Sequence, residues 1–179
     1  MKHTKGDGYV KIRKMKQGEI QVIRELRVNG YREYETCVSS EHWNVLKTSL
    51  LSDNDIKSNA DIFVTEIDGN IAGSIVLFPA SIQAYDWSED VQEYPEIRML
   101  SVNPDIRGKG IGRALVEHCL QVAKEQNNAQ IGLHTASFMT KASALYESMG
   151  FSRVTELDLE PMNDGIIVKA YRLNLKKNA

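Results

Sequence analysis

The chain has 179 residues, of which 42% are hydrophobic and 26% are charged, with a net charge of −2. This composition is typical of a soluble globular protein, and it argues against a nucleic-acid-binding protein with an overall basic surface and against a membrane-spanning segment. Because two cysteines, Cys37 and Cys119, are too few for a disulfide framework and no secretory segment follows Met1, we expect a cytoplasmic protein that folds as one domain over residues 1–179.

The first third of the chain predicts one strand and two helices. Residues 9–14 alternate polar and apolar side chains, as a half-buried strand does. Residues 19–34 and 41–51 place apolar side chains at helical spacing, although Gly30 weakens the first of these two helices. Residues 52–55 are all polar and predict a break after the second helix.

The middle of the chain predicts three strands. Residues 61–67 and 71–78 are β-rich runs joined through residues 68–70, and the Asp-Gly pair in that connection is a strong hairpin signal. A long connection over residues 79–95 carries several carboxylates. Residues 96–102 predict the next strand, and an Asn-Pro-Asp turn ends it.

Helices and strands alternate in the last third. The pattern predicts a helix with a wide apolar face, a strand, a helix stopped by Gly150 and two late strands, at residues 112–126, 129–135, 140–149, 152–159 and 166–175. The whole order is β-α-α-β-β-β-α-β-α-β-β. Interleaved helices and strands predict an α/β fold (α+β mixed sheet) with helices on both faces.

A glycine-rich run, Arg107–Gly112, lies between a predicted strand and a predicted helix. Its three glycines let the backbone turn tightly, and the helix start adds unpaired N–H groups that suit a phosphate. A Walker A loop would need Lys and then Ser or Thr after Gly112, and the chain has Arg113-Ala114 there. The dinucleotide fingerprint would need a glycine at position 113. Neither reading fits.

What remains is Arg-x-x-Gly-x-Gly after a strand, which resembles the pyrophosphate-binding motif of the GNAT (Gcn5-related N-acetyltransferase) superfamily. A second motif, Ala142-x-x-Leu145-Tyr146-x-x-x-Gly150-Phe151, resembles the family's fourth helix and the turn after it. The resemblance covers residues 61–154. One departure is visible, because Met139 stands where the family often has an Asn that contacts the cofactor arm.

The resemblance implies a GNAT fold that binds acetyl-CoA as co-substrate in a gap between the fourth and fifth strands. It implies Tyr146 as the acid beside the CoA sulfur and Glu96 as the base, directly or through a water. It also implies a set of residues that bind the cofactor mostly through the main chain: Leu100, Ser101, Val102, Arg107, Gly108, Lys109, Gly110, Ile111 and Gly112. Side chains with metal-ligand spacing are absent from the sequence, so we expect no metal.

Several points stay open from the sequence. Glu93, Asp86 and His134 are alternative bases. The acceptor is an amine of a small molecule or a protein, and the acidic segment at residues 85–96 favours a cationic one, or is simply solvated. Tyr85 and Trp87 belong to a lid or to a homodimer contact. No nucleic-acid or membrane partner is expected. A non-catalytic acyl-CoA-binding or sensory module and a ligand-free adaptor are the competing functions.

Overall fold

Seven strands and five α-helices occur in the described part of the computed structural model, residues 10–81 and 91–175. The strands are β1 (Lys11–Lys14), β2 (Asp61–Ile67), β3 (Asn70–Phe78), β4 (Glu96–Val102), β5 (Gln130–Ala136), β6 (Ser152–Arg153) and β7 (Val168–Asn174). The helices are α1 (Ile20–Tyr31), α2 (Ser40–Leu51), α3 (Asn54–Lys57), α4 (Ile111–Glu125) and α5 (Thr140–Ser148). Short 3-10 helices follow α1, β4 and β6, at Arg32–Cys37, Pro104–Ile106 and Thr155–Leu157.

The strands form a mixed sheet in the order β1-β2-β3-β4-β5-β7-β6. The pairs β1/β2, β5/β7 and β6/β7 are antiparallel, whereas β4 and β5 are parallel, with Glu96 opposite Gly132 and Ile97 opposite Leu133. The predicted fold class and element order are therefore confirmed, with α3 as one addition. The gap expected between β4 and β5 stays a prediction.

The described residues cluster into two compact units. Residues 10–76 and 99–118 form the first unit, and residues 77–81, 91–98 and 119–175 form the second. The expectation of one domain over residues 1–179 stays a prediction. None of the helices within the described ranges combines the length and the apolar character that crossing a membrane requires.

The polar break predicted at residues 52–55 is wrong in its second half, because Asn54 and Asp55 open α3. The hydroxyl of Ser52 accepts a hydrogen bond from the Asn54 amide (3.1 Å), and the Asp55 carboxylate accepts one from the Ile56 amide (2.9 Å). Small polar side chains that bond to nearby amides are favoured both in turns and at helix starts. Composition alone therefore does not distinguish the two cases.

The strand predicted at residues 152–159 is also wrong beyond Arg153. A 3-10 helix interrupts it, and Leu159 returns to pair with Val168. The cause is Asp158, whose carboxylate accepts the Ala170 amide of β7 at 2.8 Å and forms an ion pair with Arg153. A side chain thus replaces the strand backbone as the partner of β7 at this point.

Helix α1 ends at Tyr31, three residues before the predicted end. Packing against β4 requires a glycine at position 30, near the end of this helix. A Cβ atom on Gly30 would lie 2.1 Å from the hydroxyl of Ser101 on β4. That hydroxyl donates a hydrogen bond to the Leu26 carbonyl at 3.1 Å. The Gly30 carbonyl accepts a hydrogen bond from Arg107, so it is engaged outside the helix where the 3-10 segment begins. Gly30 therefore lets α1 approach β4 closely.

The first unit also buries an ion pair between α1 and α3. The guanidinium of Arg27 lies 2.8 Å from the carboxylate of Asp55, and neither side chain is exposed. Burial lowers the pKa of Arg27, and the charge of Asp55 opposes that shift. The pair compensates two charges that would be costly to bury singly.

Replacing Asp55 with Asn should destabilise the protein by about 3–5 kcal/mol, because Arg27 would remain as an uncompensated buried charge. The measurement is urea unfolding followed by circular dichroism. Asp53→Asn, at the residue just before the same short helix, is the matched control, since Asp53 pairs with Lys57 in solvent and should matter little. Equal unfolding midpoints for Asp55→Asn and the unmodified chain would contradict the assignment.

Candidate active site

The first unit holds a glycine turn that opens α4. Gly108 has a φ of 80° and Gly110 a φ of 79°, in the left-handed region that side chains disfavour. Ile111 begins the helix, and the Ala114 amide bonds to the Gly110 carbonyl at 3.0 Å. The amides of the first helical turn therefore have no intrahelical acceptor. The helix start at this turn is confirmed one residue before its predicted position.

The space beside the two glycines of this turn is open. A Cβ atom on Gly108 or Gly110 would meet no other atom within 4 Å. Open space on the glycine side lets a ligand approach the main chain closely, and the positive end of the α4 dipole favours an anion there. Lys109 is exposed between the two glycines. Binding of the acetyl-CoA pyrophosphate at this turn stays a prediction.

Arg107 anchors the turn to the rest of the first unit. Its guanidinium forms an ion pair with Glu33 and donates hydrogen bonds to the carbonyls of Gly30 (2.5 Å) and Val102 (3.3 Å). The sequence suggests instead that Arg107 adds positive charge for the pyrophosphate, and that role stays a prediction. In this structure the guanidinium faces α1 and the 3-10 segment after it.

Strand β4 departs from regular geometry at Met99, which has a φ of 53°. A residue other than Gly in the left-handed region is strained, and such strain is common at functional sites. Beyond it, the Ser101 side chain is buried and bonded to α1, and Leu100 and Val102 are half-buried. The side chain of Ser101 is thus engaged within the first unit, which leaves the backbone of this stretch as the means of binding expected from the sequence.

The second unit holds Glu96 at the start of β4 as a buried carboxylate. None of its surface is exposed, so the alternative of a solvated strand-end glutamate does not apply. Its Oε1 atom lies 2.9 Å from Nδ1 of His134 and 3.5 Å from Nε of Arg98. The Arg98 guanidinium also lies over the Phe78 ring, 4.2 Å from its centroid. Two potential cations therefore face one carboxylate.

Strand register explains why these three side chains meet. Glu96 lies opposite Gly132 in the parallel pair, and side chains two residues apart share a face of a strand, so Arg98 and His134 lie on the Glu96 face. The Tyr94 ring packs where a Cβ on Gly132 would lie, 2.4 Å away. The Gly132 amide donates to the Pro95 carbonyl at 3.0 Å. These contacts hold the chain that precedes Glu96 against β5.

Tyr146 lies on α5 in the second unit and is 6% exposed. Its ring packs edge-on against Phe151, with centroids 5.9 Å apart. Met139, at the position where the family often has Asn, is buried and accepts a hydrogen bond from Thr135 through its sulfur at 3.7 Å. A thioether thus occupies the place of that polar contact.

Sequence reasoning named Glu96 and His134 separately and missed their contact, and it missed Arg98. The available signal was the two-residue period of β4 combined with the strand order of the resembling family. Of the other alternative bases, Glu93 is exposed, whereas Asp86 lies outside the described residues. Tyr85, Trp87, Glu89 and Asp90, named for the acidic segment, also lie outside them.

Comparison with known proteins decides the family. The model of the acetyltransferase (GNAT) family matches residues 23–151. The chain belongs to the GNAT family. The resemblance drawn from the two motifs is therefore confirmed.

Sequence identity to individual relatives is modest. The chain is 31% identical over 120 residues to N-acetyltransferase family 8 member 3 of Rattus norvegicus, covering 67% of this chain and 48% of that protein. It is 36% identical over 67 residues to the [ribosomal protein bS18]-alanine N-acetyltransferase of Escherichia coli K12, covering 37% of this chain and 45% of that protein. The chain thus spans about half the length of these relatives.

The fold matches that of yncA from Salmonella typhimurium, whose structure was solved with its cofactor acetyl-CoA. The TM-score is 0.64 at 16% identity, and the match covers 95% of this chain and 96% of that one. At this level of identity the likeness establishes the fold.

Replacing Gly110 with Trp should abolish acetyl-CoA binding, because the indole would fill the space beside the turn and force an unfavourable φ. Titration calorimetry measures the affinity. Gly18→Trp is the matched control, since Gly18 has a φ of 88° with no atom within 4 Å of its Cβ position. The Gly18→Trp change imposes a similar backbone strain and should leave the affinity for acetyl-CoA unchanged. Normal affinity in a folded Gly110→Trp protein would remove the turn from the cofactor site.

Proposed function

We propose that this protein is an N-acetyltransferase that transfers the acetyl group of acetyl-CoA to a primary amine of a small molecule or a protein. The observation that carries the proposal is the turn at Gly108 and Gly110, which is open on its glycine side and leads into the start of α4, in a chain of the GNAT family. Both curated relatives described above are named as N-acetyltransferases.

The reaction sets three requirements. Acetyl-CoA supplies an activated acyl group as a thioester. The acceptor must lose a proton, because an ammonium group has no lone pair for attack. The oxygen of the tetrahedral intermediate needs hydrogen-bond donors, and the leaving thiolate gains from a proton donor. The role of the protein is to bind, to orient and to move these protons.

Residues of each unit meet some of these requirements. In the first unit, Gly108, Gly110 and the first turn of α4 would hold the pyrophosphate through main-chain amides, with Lys109 adding charge. The backbone of Leu100, Ser101 and Val102 would hold the pantetheine arm. In the second unit, Glu96 supplies the negative charge for deprotonation, and Tyr146 donates a proton to the thiolate.

The proposal is tested first by CoA thiol release over a panel of amines. Turnover with at least one amine supports it. Acetyl-CoA binding by calorimetry without turnover for any amine would instead support a non-catalytic acyl-CoA-binding module. The observation that favours this second function is the buried Met139, which stands where the family often has an Asn that contacts the cofactor arm.

Replacing Tyr146 with Phe should lower kcat about a hundredfold or more, with little change in acetyl-CoA affinity, because the hydroxyl acts when the thiolate leaves. The control is Tyr171→Phe in the same unit. Burial raises the pKa of Tyr171, and its hydroxyl donates to Glu147 at 2.7 Å. Its loss should affect stability more than kcat. An unchanged kcat for Tyr146→Phe, where chemistry limits the rate, would exclude Tyr146 as the acid.

The acidic segment predicts the class of acceptor. Asp86, Glu89, Asp90 and Glu93 crowd the chain before Glu96, and their field would concentrate cationic amines near the site. KM should be lower for dicationic than for neutral amines and should rise with ionic strength, because salt screens exposed charges. Amides at all four positions should erase the preference while acetyl-CoA affinity stays constant. Better turnover of neutral or anionic amines by the unmodified protein would refute this prediction.

A further inference from the structure

The guanidinium of Arg107 joins three separate pieces of the first unit. Its Nη2 atom donates to the Gly30 carbonyl at 2.5 Å, and its Nε atom donates to the Val102 carbonyl at 3.3 Å. Its Nη1 atom bonds to a carboxylate oxygen of Glu33 in the 3-10 segment after α1. One side chain thus ties the residue just before the glycine turn to the end of α1, to the end of β4 and to the 3-10 segment.

These partners suit an arginine that acts within the protein. The last carbonyls of a helix have no intrahelical donor, and a cation at that end also meets the negative end of the helix dipole. Gly30 is the second-last residue of α1, and Arg107 supplies such a donor from 77 residues away. Lysine would not reproduce the arrangement, because its single nitrogen lacks the planar fork that reaches separate acceptors at once.

The far end of the turn is fixed by packing. Ile111, the first residue of α4, is 4% exposed. A Cβ atom on Gly73 of β3 would lie 3.2 Å from the side chains of Ile111 and Leu115, so α4 begins close against this strand. The glycines between the two fixed ends have positive φ angles and open space beside them. Because glycine loses much conformational freedom on ordering, fixed ends reduce the entropy cost of binding a ligand there.

We propose that Arg107 and Glu33 are positioning residues for the pyrophosphate of acetyl-CoA and that neither contacts it. The proposal rests on the proposed function, in which the glycine turn binds the pyrophosphate. Arg107 fixes the start of the turn through the two carbonyls, and Glu33 holds the guanidinium in the orientation that reaches them. The main-chain amides then meet the phosphate in a geometry that exists before binding. The charge that attracts the anion comes from the α4 dipole and from Lys109, which is exposed.

Arg107→Lys separates positioning from direct phosphate binding, because it keeps the positive charge and loses the fork. Affinity for acetyl-CoA, measured by titration calorimetry, should fall about tenfold, nearly as far as in Arg107→Met. Arg32→Lys is the matched control and should bind normally, since Arg32 is an exposed arginine of the 3-10 segment that holds Glu33. Normal affinity in Arg107→Lys would overturn the proposal.

Glu33 provides a test in which the direction of the change decides. The Arg107 and Glu33 side chains are 35% and 42% exposed, so Glu33→Gln should weaken acetyl-CoA binding about two- to fivefold, as loss of a partly exposed ion pair does. If Glu33 instead held Arg107 away from the phosphate, the same change would strengthen binding. Glu35→Gln, at an exposed carboxylate of the same segment, controls for the general effect of removing a negative charge.

The two residues should also act as one unit. Glu33→Gln should have no further effect on acetyl-CoA affinity in Arg107→Met, because the guanidinium that Glu33 orients is already absent. Tighter binding in Glu33→Gln than in Glu35→Gln, or additive losses in the double variant, would contradict the proposal.

Three further measurements separate positioning of the turn from general structural damage. Arg107→Lys should raise the KM for acetyl-CoA and leave kcat at saturating acetyl-CoA unchanged. With S-acetylpantetheine, a thioester that lacks the pyrophosphate and the nucleotide, kcat/KM should equal that of the unmodified protein. NMR order parameters of the Gly108 and Gly110 amides should fall in ligand-free Arg107→Lys. A lower kcat, an equal loss with both thioesters, or unchanged order parameters would each count against the proposal.

These outcomes are distinct from failure of the proposed function. If the unmodified protein binds acetyl-CoA and releases CoA with no amine, the proposed function fails, and the affinities of the Arg107 and Glu33 variants still decide this proposal. If the unmodified protein turns over and Arg107→Lys binds acetyl-CoA equally well, only this proposal fails. If the unmodified protein does not bind acetyl-CoA, both fail.

Discussion

A carboxylate buried in a sheet must be compensated, and the compensation of Glu96 organises the centre of the second unit. An isolated ionised group would be too costly to desolvate, so donors have to reach it from its own strand and from the next one. Arg98 comes from β4 and His134 from β5, which requires the parallel register that sets Glu96 opposite Gly132. The absence of a side chain on Gly132 in turn admits the Tyr94 ring beside β5. The surroundings of this one buried charge therefore include the register of β4 against β5, the lack of a side chain at Gly132 and the position of Tyr94 before β4.

In the first unit, close approach of α1 to β4 sets the surroundings of the glycine turn. Gly30 lets α1 pack against Ser101, and Arg107 then ties the end of α1 to the end of β4 through the carbonyls of Gly30 and Val102. Through these contacts Arg107 fixes the start of the turn that leads into α4 against α1 and β4. Its glycines face open space on the other side. The open side of the turn is formed by main chain at the glycines, so its geometry depends on φ angles more than on side-chain identity.

Much of the fold could be predicted because the deciding signals are local. Both β2 and β4 begin and end where residue pattern and turn chemistry place them. The misses share a different cause. The Gly30 carbonyl near the end of α1 bonds to Arg107, 77 residues away in sequence, and beyond β6 the carboxylate of Asp158 takes an amide of β7. Contacts between distant segments leave no trace in a local pattern. The same holds for the site, since the Glu96–His134 contact spans 38 residues.

Family resemblance located Glu96 at its position, yet the position alone does not settle what the carboxylate does. An exposed glutamate could take a proton from an amine directly. A buried one that contacts an imidazole and a guanidinium has its charge compensated inside the sheet. The imidazole contact needs a histidine two residues after the glycine that Glu96 faces, because the two-residue period of β5 brings that side chain to the same face. The neighbouring strand therefore determines the surroundings of the carboxylate, which the motif position alone does not reveal.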